Sequence, residues 1–401
     1  MQRAFAGLVF VAASLTTACA SGGGGSNQIP PGPPPPSRSV AFGEDVNFFQ
    51  SNIGFSNAPA ILALAAGSGV AWLRTGDGGW AADEGTQGQY QFSLLDQLTA
   101  GASGAHLGVL LQIGDSTPSW DLPPGANTQN NTIAYAPADC TGALSGETDC
   151  AAFGSYVKAL VENVMNLGVR YVVVWNEPQN LDKNWVGSNN LSVSQLADAY
   201  ARLLNQAYVN AHAADPNIEI LNGGTEILPQ ALLDILEQYE PGPALQNAIT
   251  FTQELYSNPL FCDSLDILDV HVGDHGPLFS KEIVDDSERA IQKCNGGKFV
   301  PVWVTESAYS DIQAVQTQPE LEAELGTTYT SGDSSQQQYL LDTWHALESD
   351  PNVVGIDWTF VADPVYSGNP AQDGAGLGIV DSSFNKKPVY ATMQQMSKCC
   401  S

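Results

Sequence analysis

From residue 39 onward, short apolar runs alternate with amphipathic stretches. Strand-like runs occur near 40–48, 69–75, 106–113, 169–176, 217–223, 265–271, 300–306 and 353–360. Between them lie segments with helical periodicity, at 151–167, 192–214 and 334–349. The second has a strong start signal, because Ser192 and Gln195 have the spacing of a capping box, and Pro216 follows its end. Eight strand signals separated by helical ones predict a parallel α/β fold, and eight repeats favour a closed (β/α)8 TIM barrel. A doubly wound open sheet is the alternative, but no GxGxxG follows the first strand.

The N-terminal region has a different character. Residues 1–20 read as an export signal, with Arg3 ahead of an apolar run from Ala4 to Leu15 and small residues around Ala18-Cys19-Ala20. Residues 21–38 are mostly Gly, Ser and Pro, ending in the Pro33–Pro36 run, which is a spacer composition. Residues 39–401 then form one domain with no second linker. Cys19 stands where a bacterial lipoprotein is acylated, with Gly22 to Ser26 as a tether, although Thr16 occupies the place usually held by Leu. Lipidation at Cys19 and ordinary cleavage near Ala20 are both open. Either predicts a protein that is secreted or anchored at the cell surface or outer membrane. Six cysteines follow the signal, an even number that suits disulfides in an exported chain. Local loop closure favours Cys140–Cys150 and Cys262–Cys294, leaving the adjacent Cys399 and Cys400.

Charge narrows the partners. The chain carries 14 Lys+Arg against 43 Asp+Glu, a formal charge of −29. Such a field repels polyphosphate backbones, which argues against nucleic acid, and it disfavours strongly anionic polysaccharides. Neutral or weakly charged substrates fit best. Adaptation to a salty or acidic medium would give the same composition.

Barrel enzymes keep their chemistry at the carboxyl ends of the strands. The fourth strand ends in VVVWNEPQN, with Asn176-Glu177-Pro178, and the seventh in PVWVTESAY, with Glu306. Two carboxylates raised from buried strands on opposite sides of a barrel are the pair that glycoside hydrolysis needs.

These segments resemble clan A of the glycoside hydrolases, and within it most of all family 39 and its relatives. The resemblance covers about 320 residues: Arg74 in WLRTGDGGW, Ser116 to Trp120 in STPSW, the helix-then-WNEP block, Val270-His271, Glu306, Trp358 in GIDWTF, and the tail GLGIVDSSFNKKPVYATMQQM. It implies Glu177 as acid/base, Glu306 as nucleophile, Arg74 as a cation contacting the nucleophile, and Trp358 as a sugar-stacking ring. Physical roles follow for the others. Glu177 must hold a proton, so a drier position than that of Glu306 is expected. Asn176 would donate to a sugar hydroxyl, His271 would orient a carboxylate or bind a hydroxyl, and Trp120 and Tyr309 are candidates for lining sugar subsites. Trp80 and Trp185 are weighed beside them, each as much a packing residue as a subsite one.

One feature of the pattern resists this reading. Strict alternation puts Asn176 and Glu177 on opposite faces of the strand, so both reach the cleft only if the strand end bends or bulges. Glu226, in GGTE near the end of strand five, is the rival nucleophile. His271 and His275 with Asp269 and Asp274 imitate a metal site, but helical spacing has no force at a strand end, and neither a metal nor a cofactor is assigned. The expectation is a monomeric retaining hydrolase acting on β-linked glycans; the alternatives are a non-catalytic glycan-binding surface lipoprotein on the same barrel and a metal-dependent barrel hydrolase.

Overall fold

A computed structural model describes residues 40–46, 54–76, 79–127, 134–143, 146, 148–187, 191–239, 241–273, 275–312, 329, 332–365 and 375–400. The signal and spacer, Cys19, Asp274 and the side chains of Cys399 and Cys400 lie outside the described residues.

All eight strands form where alternation places them: β1 (Ala41–Val46), β2 (Trp72–Thr75), β3 (Gly108–Ile113), β4 (Tyr171–Val174), β5 (Glu219–Leu221), β6 (Leu268–Gly273), β7 (Val302–Ser307) and β8 (Val353–Thr359). They pair in parallel, in the order β5-β4-β3-β2-β1-β8-β7-β6. The remaining seam between β5 and β6 is closed by one parallel bridge, Leu221 to Ile267, and by the amides of Asp266 and Ile267 donating to the Ile220 carbonyl. A helix of eight residues or more follows every strand before the next one begins, from Ala58–Ser68 after β1 to Pro388–Cys400 after β8. This is a nearly closed (β/α)8 barrel. The Val193–Ala214 helix has the capping box its sequence announces: Ser192 Oγ accepts from the Gln195 amide at 3.3 Å, and Gln195 Oε1 accepts from the Ser192 amide at 2.9 Å.

Two apolar layers hold the barrel. The larger lies between strands and helices, and the smaller fills the interior floor with Leu110, Val173, Leu221, Ile267 and Trp303. Trp72, Tyr171 and Trp303 meet edge to face there, with ring centroids 5.1–5.7 Å apart.

Both expected disulfides are present, Cys140–Cys150 and Cys262–Cys294, the second tying the short Pro259–Cys262 helix to the end of Pro277–Cys294. Their separations of 10 and 32 residues set their worth through the freedom each removes from the unfolded chain, about 2.8 and about 3.7 kcal/mol. Replacing both cysteines of a pair by alanine is therefore expected to lower the urea midpoint, and more for Cys262/Cys294 than for Cys140/Cys150. Equal midpoints for wild type and both double variants would contradict the assignment.

Candidate active site

Rising through the barrel, the interior changes from apolar to ionic. Trp303 marks the boundary, its indole N–H donating to Asp357 Oδ1 at 3.0 Å. Above it sits Arg74, only 1% exposed. Its Nη1 donates to Asp45 Oδ2 at 3.1 Å and Glu306 Oε1 at 2.5 Å, and its Nη2 donates to Asn176 Oδ1 at 2.6 Å. One guanidinium thus ties together residues at or just beyond the ends of β1, β2, β4 and β7.

The bend that alternation demanded at β4 is real. The strand ends at Val174, and Trp175 and Glu177 both adopt left-handed backbone, with φ of 73° and 42°. The Trp175 amide donates to the Ile113 carbonyl and the Glu177 amide to that of Gly223, both at 2.7 Å, so β3 and β5 clamp the turn from either side. Gly223 is required there, since a Cβ would come within 2.7 Å of the Trp175 carbonyl. The indole of Trp175 is buried, and Asn176 and Glu177 both reach the cleft.

A second irregularity lies in β7. Val270 pairs with Val304 but His271 with Glu306, so Thr305 is an extra residue opposite β6. Both Thr305 and Glu306 can then face His271: its Nε2 is 3.1 Å from Thr305 Oγ1 and 3.5 Å from Glu306 Oε1. Its Nδ1 is 3.1 Å from Glu177 Oε1. One carboxylate oxygen of Glu177 and one of Glu306 lie within 4.8 Å of each other. The expected burial order is reversed: the side chain of Glu177 is 35% exposed and that of Glu306 23%, because Glu306 is drawn down onto Arg74 while Glu177 stands at the rim.

Acids outnumber cations in this interior. Burial pushes Asp45 up to about 7 against the pull of Arg74, and burial pushes Asp115 up to about 6. Glu226, raised first by burial and then by the charge of Glu177, rises to about 8, which makes it a poor resting nucleophile. Burial alone would lower His271, but Glu306, the hydrogen bond to Glu177 and Asp269 outweigh it and lift it to about 9. Glu177, His271 and Glu306 offer ligand atoms close enough for a cation. Arg74 and an imidazolium would both repel one, so the donor set fits a sugar better than a metal. Asp285, Glu288 and Asp350, at the opposite end of the barrel, surround Lys281, which already supplies their cation.

The structure thus brings together Arg74, Asn176, Glu177, His271 and Glu306. Among the described residues the three predicted aromatics are not open platforms. Trp358 is 1% exposed, with its N–H donating to the Leu377 carbonyl at 2.9 Å. Tyr309 is buried and stacks on Tyr339. Trp120 is half-buried, packs edge to face on Trp80 and donates to the Glu84 carbonyl. Trp80 and Trp185 are fully buried, so both are packing residues. Sequence reasoning missed Asp45, Asp115 and Thr305. The first two stood in view, as an acid in FGEDV and an acid just after β3; Thr305 carried no local signal.

The fold is a (β/α)8 barrel with two carboxylates facing one cleft at the carboxyl ends of its strands. Residues 120–373, more than half of the chain, match the sequence profile of the glycosyl hydrolase catalytic core, and the chain belongs to that family. A comparison with curated protein sequences finds no match. Similar solved structures include a family 39 glycoside hydrolase from the gut symbiont Bacteroides cellulosilyticus WH2, with 16% identity, a TM-score of 0.58, and 90% of this chain and 64% of that one covered. A GH5_18 protein from Bifidobacterium longum subsp. infantis gives 12%, 0.57, 90% and 78%. An exo-β-1,4-mannosidase from Opitutaceae bacterium strain TAV5 gives 13%, 0.55, 90% and 60%. At these identities the likeness shows the fold, and the chain spans less than two thirds of the first and third of these proteins.

The crowded acids make stability depend on pH with a definite sign. Asp45, Asp115, Glu226 and His271 all have folded-state values above their unfolded ones. The folded state therefore holds extra protons, and stability present below about pH 4 is lost progressively as pH rises to about 9. Tm is expected to be several degrees higher at pH 4.5 than at pH 8. A Tm that rises over this interval would contradict the assignment.

Proposed function

We propose that the protein is a retaining β-glycosidase of neutral or weakly charged glycans, with Glu306 as nucleophile and Glu177 as acid/base. The observation that carries this reading is that one carboxylate oxygen of Glu306, held on Arg74, and one of Glu177, held on His271, lie within 4.8 Å of each other. Retaining enzymes place their pair about 5–5.5 Å apart, whereas inverting enzymes leave about 6.5–9.5 Å for a water.

In the first step Glu306 attacks the anomeric carbon, the glycosidic C–O bond breaks, and the leaving oxygen takes the proton of Glu177. In the second, water adds to the anomeric carbon as its bond to Glu306 breaks, and the water proton returns to Glu177. Arg74 holds Glu306 oriented before attack through the hydrogen bond from Nη1 to Oε1. It also fixes Asn176: with Oδ1 accepting from Nη2, the amide NH₂ is turned to donate to a sugar hydroxyl. A bound sugar would cover Glu177 and exclude water from it. The net charge of −29 favours an uncharged substrate. Export, with or without lipidation at Cys19, belongs to the same proposal; it rests on the N-terminal composition and on the two disulfides.

Hydrolysis of a panel of aryl β-glycosides tests the assignment. Glu306→Ala is expected to lower kcat by at least about 10³-fold, and Glu177→Ala by about 10²–10⁴-fold for poor leaving groups, with a smaller loss for activated ones. NMR of the first-formed sugar should show the anomeric configuration retained. Wild-type activity in Glu306→Ala, or an inverted first product, would overturn the proposal.

A further inference from the structure

His271 is held from behind by a chain of hydrogen bonds that leads away from the cleft. Its Nε2 is 3.1 Å from Thr305 Oγ1, and that hydroxyl donates to Asp269 Oδ1 at 2.6 Å. Asp269 is fully buried, and its other oxygen has no hydrogen-bond partner among the described residues, so Thr305 is the donor that serves its side chain. The backbone of Asp269 is pinned in turn by Asn222, whose amide accepts from its N–H and donates to its carbonyl, both at 2.8 Å. The β7 bulge turns Thr305 inward, and Gly224, at φ 64°, leaves the space the imidazole needs.

The directions along this chain are constrained. A carboxylate only accepts, so the Thr305 hydroxyl must donate to Asp269 and present a lone pair to His271. Nε2 must then carry a hydrogen, and Nδ1 is the edge that meets Glu177. One proton lies between Nδ1 and Glu177 Oε1, on the carboxyl when the ring is neutral and on the ring when the carboxyl is ionised.

We propose that Thr305 and Asp269 are positioning residues of the glycosidase site, which hold His271 as the partner that shares the leaving-group proton with Glu177. This rests on the two-glutamate reading above. Glu177 passes that proton to the glycosidic oxygen as the bond to the anomeric carbon breaks. The pair regains it from the water that displaces Glu306 in the second step. The charged groups facing His271 from the surrounding strands are Glu177, Glu226, Glu306, Arg74, Asp45 and its own-strand neighbour Asp269. The acids dominate, and the imidazolium persists to about pH 9. The alkaline limb of activity therefore belongs to the Glu177–His271 pair and is sensitive to the chain behind it.

The test compares wild type, Thr305→Val, Thr305→Ser and Asp269→Asn on phenyl and 2,4-dinitrophenyl β-glycosides of the same sugar across pH. The second leaving group needs no proton. In Thr305→Val and Asp269→Asn, the phenyl to dinitrophenyl ratio of kcat/KM should fall about 10- to 30-fold, and the alkaline limb should move down by about one pH unit. Thr305→Ser should restore the ratio to within about 3-fold. Equal losses on both substrates with an unmoved limb would overturn the proposal, because a merely structural role predicts that result. Imidazole ¹⁵N shifts of the free protein above about pH 9, where the ring is neutral, give a readout independent of turnover: the Nε2–H form in wild type and a mixture in Thr305→Val. If Glu306→Ala hydrolyses like wild type, the two-glutamate reading fails, and the ¹⁵N spectrum still decides whether the chain holds the ring. A wild-type spectrum with Nδ1–H alone overturns the proposal by itself.

Discussion

A single buried cation organises the upper half of this barrel. Arg74 lies on β2 with its guanidinium almost wholly removed from water, a state that costs several kcal/mol unless every charge and donor is answered. Asp45, Asn176 and Glu306 answer its two terminal nitrogens from three other parts of the barrel, while its buried Nε has no hydrogen-bond partner among the described residues. The planar fork of arginine fixes those partners in direction as well as distance, which an ammonium would not. The same contacts that make the cation tolerable therefore align the proposed nucleophile and turn the amide of Asn176. Stability and site geometry are one requirement here.

Below that level the barrel is built differently. The interior floor is an apolar plug of branched side chains and edge-to-face aromatics. The indole of Trp303, donating upward to Asp357, is where the two regimes meet. The acids above the plug exceed the cations available to them, and burial lifts several above the usual carboxylate range, Asp45 to about 7 and Glu226 to about 8. The composition of the chain shows a surplus of acids; the fold shows that part of it is internal and held partly protonated.

How much of this was legible in the residues depended on periodicity. All eight strands, the 193–214 helix with its cap and both disulfides followed from alternation, spacing and loop length. The convergence of Arg74, Asn176, Glu177, His271 and Glu306 followed from strand ends and the family resemblance. The illegible parts lie where periodicity is broken. Trp175 and Glu177 take left-handed backbone without being glycines, stabilised by the carbonyls of Ile113 and Gly223 from neighbouring strands. Thr305 joins His271 only because of a one-residue bulge, which a single strand does not announce. Trp358 and Tyr309 sit at positions that look suited to sugars, yet Leu377 and Tyr339 bury them, and those partners come from other segments. Local rules give way at the site because tertiary partners over-determine the backbone there.

The most direct measurement is covalent trapping. Wild-type protein would be treated with the 2-deoxy-2-fluoro glycoside of whichever aryl sugar it cleaves, digested, and sequenced by mass spectrometry. A stoichiometric glycosyl adduct on Glu306 is the result this account predicts. An adduct on Glu226 or elsewhere, or complete turnover with inversion and no adduct, would contradict it.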